Sequence, residues 1–432
     1  MQNIIRETQY NRQISLLKKG IWVYFMLLIF EGALRKWILP GLATPLLLVR
    51  DPVALYILIK AIYYNIWKPN NYVIVMWLTT TFAFITALIT GHGDIFVAVY
   101  GARITLIHFP LIFIIGHVLN KEDVIKMGVV MLWLTIMMTI LIAVQFYSPQ
   151  SALVNRGIGG DEAGSGFSGA EGFFRVPGTF SFTNGLAAFY SLATAFIIYF
   201  WVNINEIQSS KKILILSTVA LFAAVPLSIS RTVFFGICIS LVFLIAISTK
   251  KPKFITQIFA GILVSAVLFV FLNNFSFFQT ASSAFTERFT SANKIEGGVE
   301  SVFLDRFLGG MFSAITEGES SFFGLGLGLG TNAGSKLLTG SVTYLVSEGE
   351  WGRLIGEMGF VLGMIMIILR SIFVFDLTKK SWISASKNNS MPWMLLSFGI
   401  IMILQGLWAQ PTALGFSVLA GGFIIASIKT KK

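Results

Sequence analysis

Twelve runs of mostly apolar residues constrain this 432-residue chain more than anything else in it. They fall at 20–39, 44–64, 72–90, 95–119, 127–147, 185–202, 213–229, 233–247, 254–272, 354–375, 391–408 and 412–428. The hydrocarbon core of a bilayer is about 30 Å thick, so a helix crossing it needs about 20 such residues. A barrel strand would need only about ten, alternating in polarity. With 55% apolar residues and 12% charged ones, and a mean hydropathy of +0.78, one water-soluble core could not hide these runs. The sequence therefore predicts an all-α polytopic membrane protein with about 12 transmembrane helices, residues 1–432 forming a single transmembrane domain.

Basic residues set the expected orientation. If the N-terminus is cytoplasmic, the inside segments carry Arg6, Arg12, Lys18, Lys19, Lys60, Lys68, Lys121, Lys126, Lys211, Lys212, Lys250, Lys251, Lys253, Lys379, Lys380, Lys387, Lys429, Lys431 and Lys432, which is 19 of the 32 lysines and arginines. Every inside loop is then short and basic, so both termini are expected in the cytoplasm. The first run has no small-residue cleavage site and reads as a retained helix. Two long segments remain outside, 148–184 and 273–353, the larger joining helices nine and ten. Loops of that length are usually lids or binding elements, so any chemistry is expected on the outer face. The formal charge of +12 reports loop orientation before any anionic ligand, and nucleic acid is not an expected partner. The single cysteine, Cys238, can form neither an intrachain disulfide nor a cysteine-based metal site. His92, His108 and His117 have no zinc or triad spacing, and no metal is expected.

The outer face is rich in arginine where the inside is nearly all lysine. Guanidinium matches phosphate oxygens bidentately and keeps its charge when partly dehydrated. Arg50 and Arg103 lie at depths where a charge costs about 2.5–3.5 kcal/mol. Two explanations are open: internal pairing (Glu31 with Arg35, Asp51 with a neighbouring helix, Arg103 with carbonyls freed near Pro110), or a basic recess that binds a diphosphate. Helix seven ends in Pro226-Leu-Ser228-Ile-Ser230-Arg231. Proline frees carbonyls, which membrane depth tolerates only beside a cavity or a protein partner, so Arg231 is expected on a cavity wall or as a headgroup-level turn charge. The 148–184 loop opens acidic and glycine-rich and closes with Arg175-Val-Pro177-Gly178-Thr179-Phe180, a fixed turn that could hold Arg175. Asn184 is then a plausible helix cap.

In the larger loop, Phe303, Phe307, Met311 and Ile315 recur every four residues and predict a helix lying on the membrane surface. Gly324-Leu-Gly-Leu-Gly-Leu-Gly330 has no following Lys-Ser/Thr and reads as a hinge, not a phosphate loop. Ser347-Glu348-Gly-Glu350-Trp-Gly-Arg353 then leads to Glu357-Met-Gly359. Glu350, Arg353 and Glu357 share one helix stripe, either as an ion-paired helix start or as a carboxylate base beside a phosphate-binding arginine.

Taken in order, Arg175-x-x-Gly-Thr-Phe before a helix, Ser228-x-Ser-Arg231 at a junction, a late outer loop with Phe323-Gly-x-Gly-x-Gly-x-Gly, and Glu357-x-Gly359 with Gly363 resemble the O-antigen ligase and O-antigen or exopolysaccharide polymerase superfamily. The early Glu31-Gly-Ala-Leu-Arg35-Lys36-Trp and Val49-Arg50-Asp51-Pro52 are similar to bacterial members of that group. The resemblance spans most of the chain and rests on topology and motif order.

It implies inverting glycosyl transfer from an undecaprenyl-diphosphate-linked oligosaccharide at the periplasmic or outer face of the cell inner (plasma) membrane, with no cofactor, no nucleotide sugar and no metal. Arg175 and Arg231 match the family's diphosphate-holding arginines; Arg353, Arg50 and Arg103 are added as diphosphate-binding candidates from their position. Ligases commonly carry a histidine nine positions before the glutamate of Glu-x-Gly; here that position is Glu348. A carboxylate can also accept the acceptor's proton, so the expectation is a polymerase of lipid-linked repeat units with Glu348 or Glu350 as base. Transfer to a different acceptor, lipid A-core or protein, is the alternative. A flippase and a chain-length regulator are the expected partners besides the lipid bilayer. A secondary transporter is a poorer fit, since no matching half is evident and the longest loop follows helix nine instead of the middle.

Overall fold

The computed structural model describes residues 2–207, 209–249, 267–296, 322–341, 345–347 and 349–429, together with 256 and 261. The helices are α1 (Gln2–Ala33), α2 (Arg50–Tyr63), α3 (Asn71–Ile89), α4 (Ile95–Arg103), α5 (Phe109–Val118), α6 (Lys121–Tyr147), α7 (Thr183–Val202), α8 (Lys211–Leu227), α9 (Arg231–Ser248), α10 (Ser276–Glu296), α11 (Asn332–Thr339), α12 (Glu350–Ser386), α13 (Met391–Leu404) and α14 (Pro411–Ile428). Local chemistry sets several starts. Asn70 Oδ1 accepts from Val73 N at 3.1 Å, Asp94 accepts from Phe96 and Val97 N, and Asn120 forms a reciprocal box with Asp123.

Among the described residues, eight helices are long and apolar enough to cross a membrane, so the chain is an all-α polytopic membrane protein. The other four expected runs are accounted for separately. α2 and α13 have 14 residues each and α8 has 17, short of the about 20 that a straight crossing needs. Most of 254–272 lies outside the described residues, as do the expected surface helix through Phe303, Phe307, Met311 and Ile315, and Glu348.

α7, α5 and α14 are the buried helices. α13 packs on α14, α12, α7 and α9; α14 packs on α5; and α6 packs on α8. Phe189, Tyr190, Phe196, Phe200, Phe416 and Phe423 are fully buried and fill the centre. Peripheral helices present apolar faces outward, with Leu78 and Phe82 on α3 and Met137 and Ile140 on α6, as lipid-facing surfaces do.

The expected inner segments share one end of the bundle. Lys18 Nζ is 2.6 Å from Asp123 Oδ2, Lys121 Nζ is 2.8 Å from Glu206 Oε1, and Lys429 Nζ donates to His117 O at 2.9 Å. α1 and α6 run away from that end and α14 runs toward it. Glu31, Arg35 and Pro411 therefore lie at the opposite end.

Three features depart from the sequence reading. Phe167–Ala170 (β1) and Phe173–Arg175 (β2) form an antiparallel hairpin that pairs Phe167 with Arg175. The span 95–118 is interrupted by a π segment, Ile104–His108, ahead of Pro110. α12 is broken at Gly359 (φ 79°, ψ 168°), and its first leg turns back along the second, so that a Cβ at Gly363 would lie 2.7 Å from Ile355 Cα. The ion pairs expected along the start of helix ten are present, Arg353 with Glu350 and with Glu357, but on a short leg that doubles back at Gly359. Its irregular backbone is enclosed by protein, as membrane depth requires.

Candidate functional site

At the end opposite Lys18, Lys121 and Lys429 is a cavity of about 1430 Å³, larger than the ~300–1,000 Å³ typical of a small-molecule pocket. Each charged group on its wall is delivered by a different element. Arg175 ends β2, and its Nε donates to Ser168 O across the hairpin at 3.1 Å. The turn that follows is fixed against α1 and α6. Lys36 Nζ donates to Gly178 O at 2.6 Å and Phe180 O at 2.8 Å, Gly178 N donates to Gln145 Oε1 at 2.9 Å, and Thr179 Oγ1 donates to Ile29 O at 2.6 Å. Arg35, in the π turn that extends α1, donates from Nε to Ala43 O at 2.7 Å and from Nη1 to Ser181 Oγ at 3.1 Å.

Arg231 is the first residue of α9. The junction before it is strained: Ile229 is a buried β-branched residue at φ 46°, a conformation that costs free energy and that clusters at functional sites. Its side chain packs beneath Gly169 of β1. Arg288 enters from α10, which lies on α8 and β1 with Phe289 against Phe234 and Phe235. Lys336 enters from α11, which packs on α4.

Five cationic side chains (Arg35, Arg175, Arg231, Arg288 and Lys336) and one carboxylate, Glu31, line the cavity among the described residues. Three helices also begin on its wall with no side-chain cap: α7 after Phe182, α9 after Ser230 and α14 after Gln410. The first N–H groups of a helix lack intrahelical acceptors and carry its positive dipole end, so each of these starts favours an anion. Below the charged mouth the wall turns apolar, with Phe235 and Ile239 of α9 facing Phe398, Ile401 and Met402 of α13. From Arg231 to Ile239 this groove runs about 12 Å along α9. Such a shape suits an amphiphile with an anionic head.

Arg175 and Arg231, expected at the site, are brought together there. Arg50, Arg103 and Arg353 are not on the cavity wall. Each is buried against carboxylates, because at that depth an unpaired guanidinium is too costly. Arg50 Nε is 2.9 Å from Glu31 Oε2. Arg103 Nη1 bonds both oxygens of Asp51, at 2.8 and 2.9 Å, and not the carbonyls near Pro110. His108 joins the same cluster, with Nε2 2.9 Å from Asp51 Oδ1 and Nδ1 3.0 Å from Tyr24 Oη. Arg353 bridges Glu350 and Glu357, with Nη2 2.9 Å from Glu350 Oε1 and Nη1 2.6 Å from Glu357 Oε2.

Glu350 is likewise off the wall, and its oxygens are occupied. Oε1 accepts from Arg353 and Arg370, and Oε2 accepts from Arg353 Nε and from Trp408 N, both at 3.0 Å. Asn184 is not a cap, since Phe182 holds that position; it lines the cavity instead. The Gly324–Gly330 stretch is no free hinge. Gly328, at φ 94°, sits so close to α4 that a Cβ would lie 2.1 Å from Val97 O, and Gly330 N donates to Glu357 Oε1 at 2.7 Å. His92 Nε2, 3.1 Å from Leu327 O, closes on it from the other side.

Sequence reasoning missed the three open helix starts and the wall role of Glu31. Pro411, favoured at a first helical position, was the one sequence sign of the α14 start. Comparisons with protein-family models, with curated proteins and with solved structures found no match.

Proposed function

We propose that the protein is a polymerase of undecaprenyl-diphosphate-linked oligosaccharide repeat units, building an exopolysaccharide or O-antigen and releasing undecaprenyl diphosphate. The observation that carries this reading is one cavity joining five cationic side chains and three uncapped helix starts to an apolar groove. A diphosphate leaving group needs no acid, because it is stable as an anion. It needs fixed positive charge where negative charge grows as the glycosidic bond breaks. Arg175 and Arg231 would hold the diphosphate, the groove would take the first part of the lipid tail, and the volume above would admit the saccharide. The motif order that resembles the O-antigen ligase and polymerase superfamily supports the same chemistry.

In this reading Arg50, Arg103 and Arg353 act at one remove, fixing helices whose ends form the wall. The twelve-helix topology with both termini cytoplasmic, the cavity opening to the periplasm or outside of the cell inner (plasma) membrane, and a flippase and chain-length regulator as partners belong to the same proposal. The grouping of the inner lysines at the far end of the bundle supports it.

The test is purified protein in detergent with lipid-diphosphate-linked repeat units alone. A ladder of multiples is expected, and it should vanish in Arg175→Ala and Arg231→Ala with Arg→Lys a poor rescue, because the fork is lost. Product formed only after a second acceptor is added would make the protein a ligase. No product with either acceptor, together with uptake of a soluble solute by proteoliposomes, would make it a transporter.

A further inference from the structure

Sugar transfer to a hydroxyl requires a group that takes the hydroxyl's proton, and the following rests on the glycosyl-transfer reading above. Of the two carboxylates expected for that role, Glu348 lies outside the described residues, while Glu350 is enclosed by four donors and is not on the cavity wall. Glu357 is spent in the same way, on Arg353 and on Gly330 N. Asp51 faces Arg103 and His108.

Glu31 differs from all of these. It is the carboxylate that lines the cavity among the described residues. Its Oε2 accepts from Arg50 Nε at 2.9 Å, which anchors that oxygen. Its Oε1 is ion-paired with Arg35 Nη1 at 3.7 Å, beyond hydrogen-bond reach, and no hydrogen bond to that oxygen is seen among the described residues. Arg35 is itself tethered to Ala43 O and Ser181 Oγ. The charged and titratable groups around Glu31 are Arg35 on the extension of α1, Arg50 on α2 and Tyr100 on α4.

We infer that Glu31 is the general base for the acceptor hydroxyl, and that Arg50 is its positioning residue. The hydroxyl oxygen attacks the anomeric carbon on the face opposite the diphosphate while its proton passes to Oε1. The bond from that carbon to the phosphate oxygen breaks, and its electron pair leaves on the lipid diphosphate among the cavity cations. Protonated Glu31 then returns its proton to water. The acceptor hydroxyl thus lies toward the α1 wall and the leaving group toward the α9 start.

The experiment is steady-state transfer by the purified full chain from a lipid-diphosphate-linked repeat unit, over a range of pH. Glu31→Gln should lower kcat by about 100-fold or more, leave the donor KM within about threefold, and abolish the acid limb of the pH profile; a positioned base contributes about 10²–10⁴. Arg50→Gln should lower kcat too, but keep that limb, because the titrating group remains. If Glu31→Gln does not reach the membrane, Glu31→Gln/Arg50→Gln removes both buried charges and is read in its place. A wild-type kcat in Glu31→Gln, or an acid limb lost only in Glu348→Gln, would overturn the assignment. A wild-type protein that makes no product from any lipid-diphosphate donor contradicts the glycosyl-transfer reading itself, whereas an active wild type with an equally active Glu31→Gln contradicts only this inference.

Discussion

Arg370 and Glu350 belong to one helix, 20 residues apart, and yet Arg370 Nη1 lies 2.5 Å from Glu350 Oε1. In a straight helix the same two residues would be about 30 Å apart. The contact exists because the chain reverses at Gly359. It closes a buried network of two acids and two bases, Glu350, Arg353, Glu357 and Arg370, in which both acids also accept backbone N–H groups. Those two N–H groups belong to Trp408, in the turn before α14, and to Gly330, at the end of the glycine-rich stretch. The network therefore ties the re-entrant leg to two segments that border the cavity. Arg370 adds bonds to Ile403 O at 2.8 Å and Gly406 O at 3.2 Å, and its guanidinium stacks 3.8 Å from the Trp408 ring.

Removing Arg370 leaves two buried acids, Glu350 and Glu357, sharing the single charge of Arg353. Arg370→Ala should destabilise the protein by about 3–5 kcal/mol, a range typical of a broken buried pair. Thermal unfolding in detergent, followed by size-exclusion fluorescence, measures this. Arg370→Met/Glu350→Gln, which withdraws both charges, should recover part of the loss. A double variant no better than Arg370→Ala would show that the pair is not coupled.

Gly359 is the residue that makes the reversal, and its backbone explains why. At φ 79° and ψ 168° it occupies a region open essentially to glycine, and a Cβ would lie 2.1 Å from Phe322 O. Gly359→Ala should sharply lower the amount of monodisperse protein. Gly41→Ala, at a position where a Cβ meets nothing within 4 Å, should express as wild type. Equal yields of the two variants would mean that the reversal is not required for folding.

The membrane fold was legible in the apolar runs because hydrocarbon imposes length directly on sequence. That Arg175 and Arg231 would stand on a cavity wall was legible because each sits beside a proline- or serine-containing junction. The pairing of Arg353 with Glu350 and Glu357 was one of two readings of their helix stripe, whereas the partners of Arg50 and Arg103 were not settled. A charge deep in an apolar run signals only that something must compensate it, and the compensating partner is supplied by tertiary packing: Glu31 for Arg50, 19 residues away, and Asp51 for Arg103, 52 residues away. The reversal of α12 was hidden for a similar reason. Glu350, Arg353 and Glu357 have the spacing of a straight helix face, and nothing local reveals that Gly359 folds that face back onto Arg370. Pro411 aside, the uncapped helix starts left no trace because the signal is the absence of a capping bond, and Ser230 has a capping side chain that makes none.

Orientation can be read by chemical labelling. With Cys238 replaced by Ser, single cysteines at the exposed positions Glu162 and Ser341 should react with a membrane-impermeant maleimide on intact cells. Cysteines at Lys68 and Lys387, also exposed, should react only after permeabilisation. The reverse pattern would place the cavity on the cytoplasmic side and remove the geometric basis for outer-face transfer. Labelling of all four from outside would instead indict the integrity of the cells, which a cytosolic marker protein checks in the same sample.

Anion binding can be separated from catalysis. A ligand held only by the folded state at about 100 times its Kd stabilises by about 2.7 kcal/mol. Farnesyl diphosphate, which carries the head and a short apolar tail, should raise the unfolding temperature of the wild type more than inorganic pyrophosphate does, and farnesol should not raise it. The groove between α9 and α13 accounts for the first difference and the cavity cations for the second. Arg231→Ala should lose most of the diphosphate effect, and raising the ionic strength from 0.05 to ~0.5 M should weaken it, because the cavity is open to solvent and its charges are screened over about a Debye length. Arg103→Lys, altered away from the cavity at the Asp51 pair, should retain the shift even if its starting stability is lower. An equal response to farnesol and farnesyl diphosphate would mean that the tail alone is recognised, and the cationic end would then need another explanation.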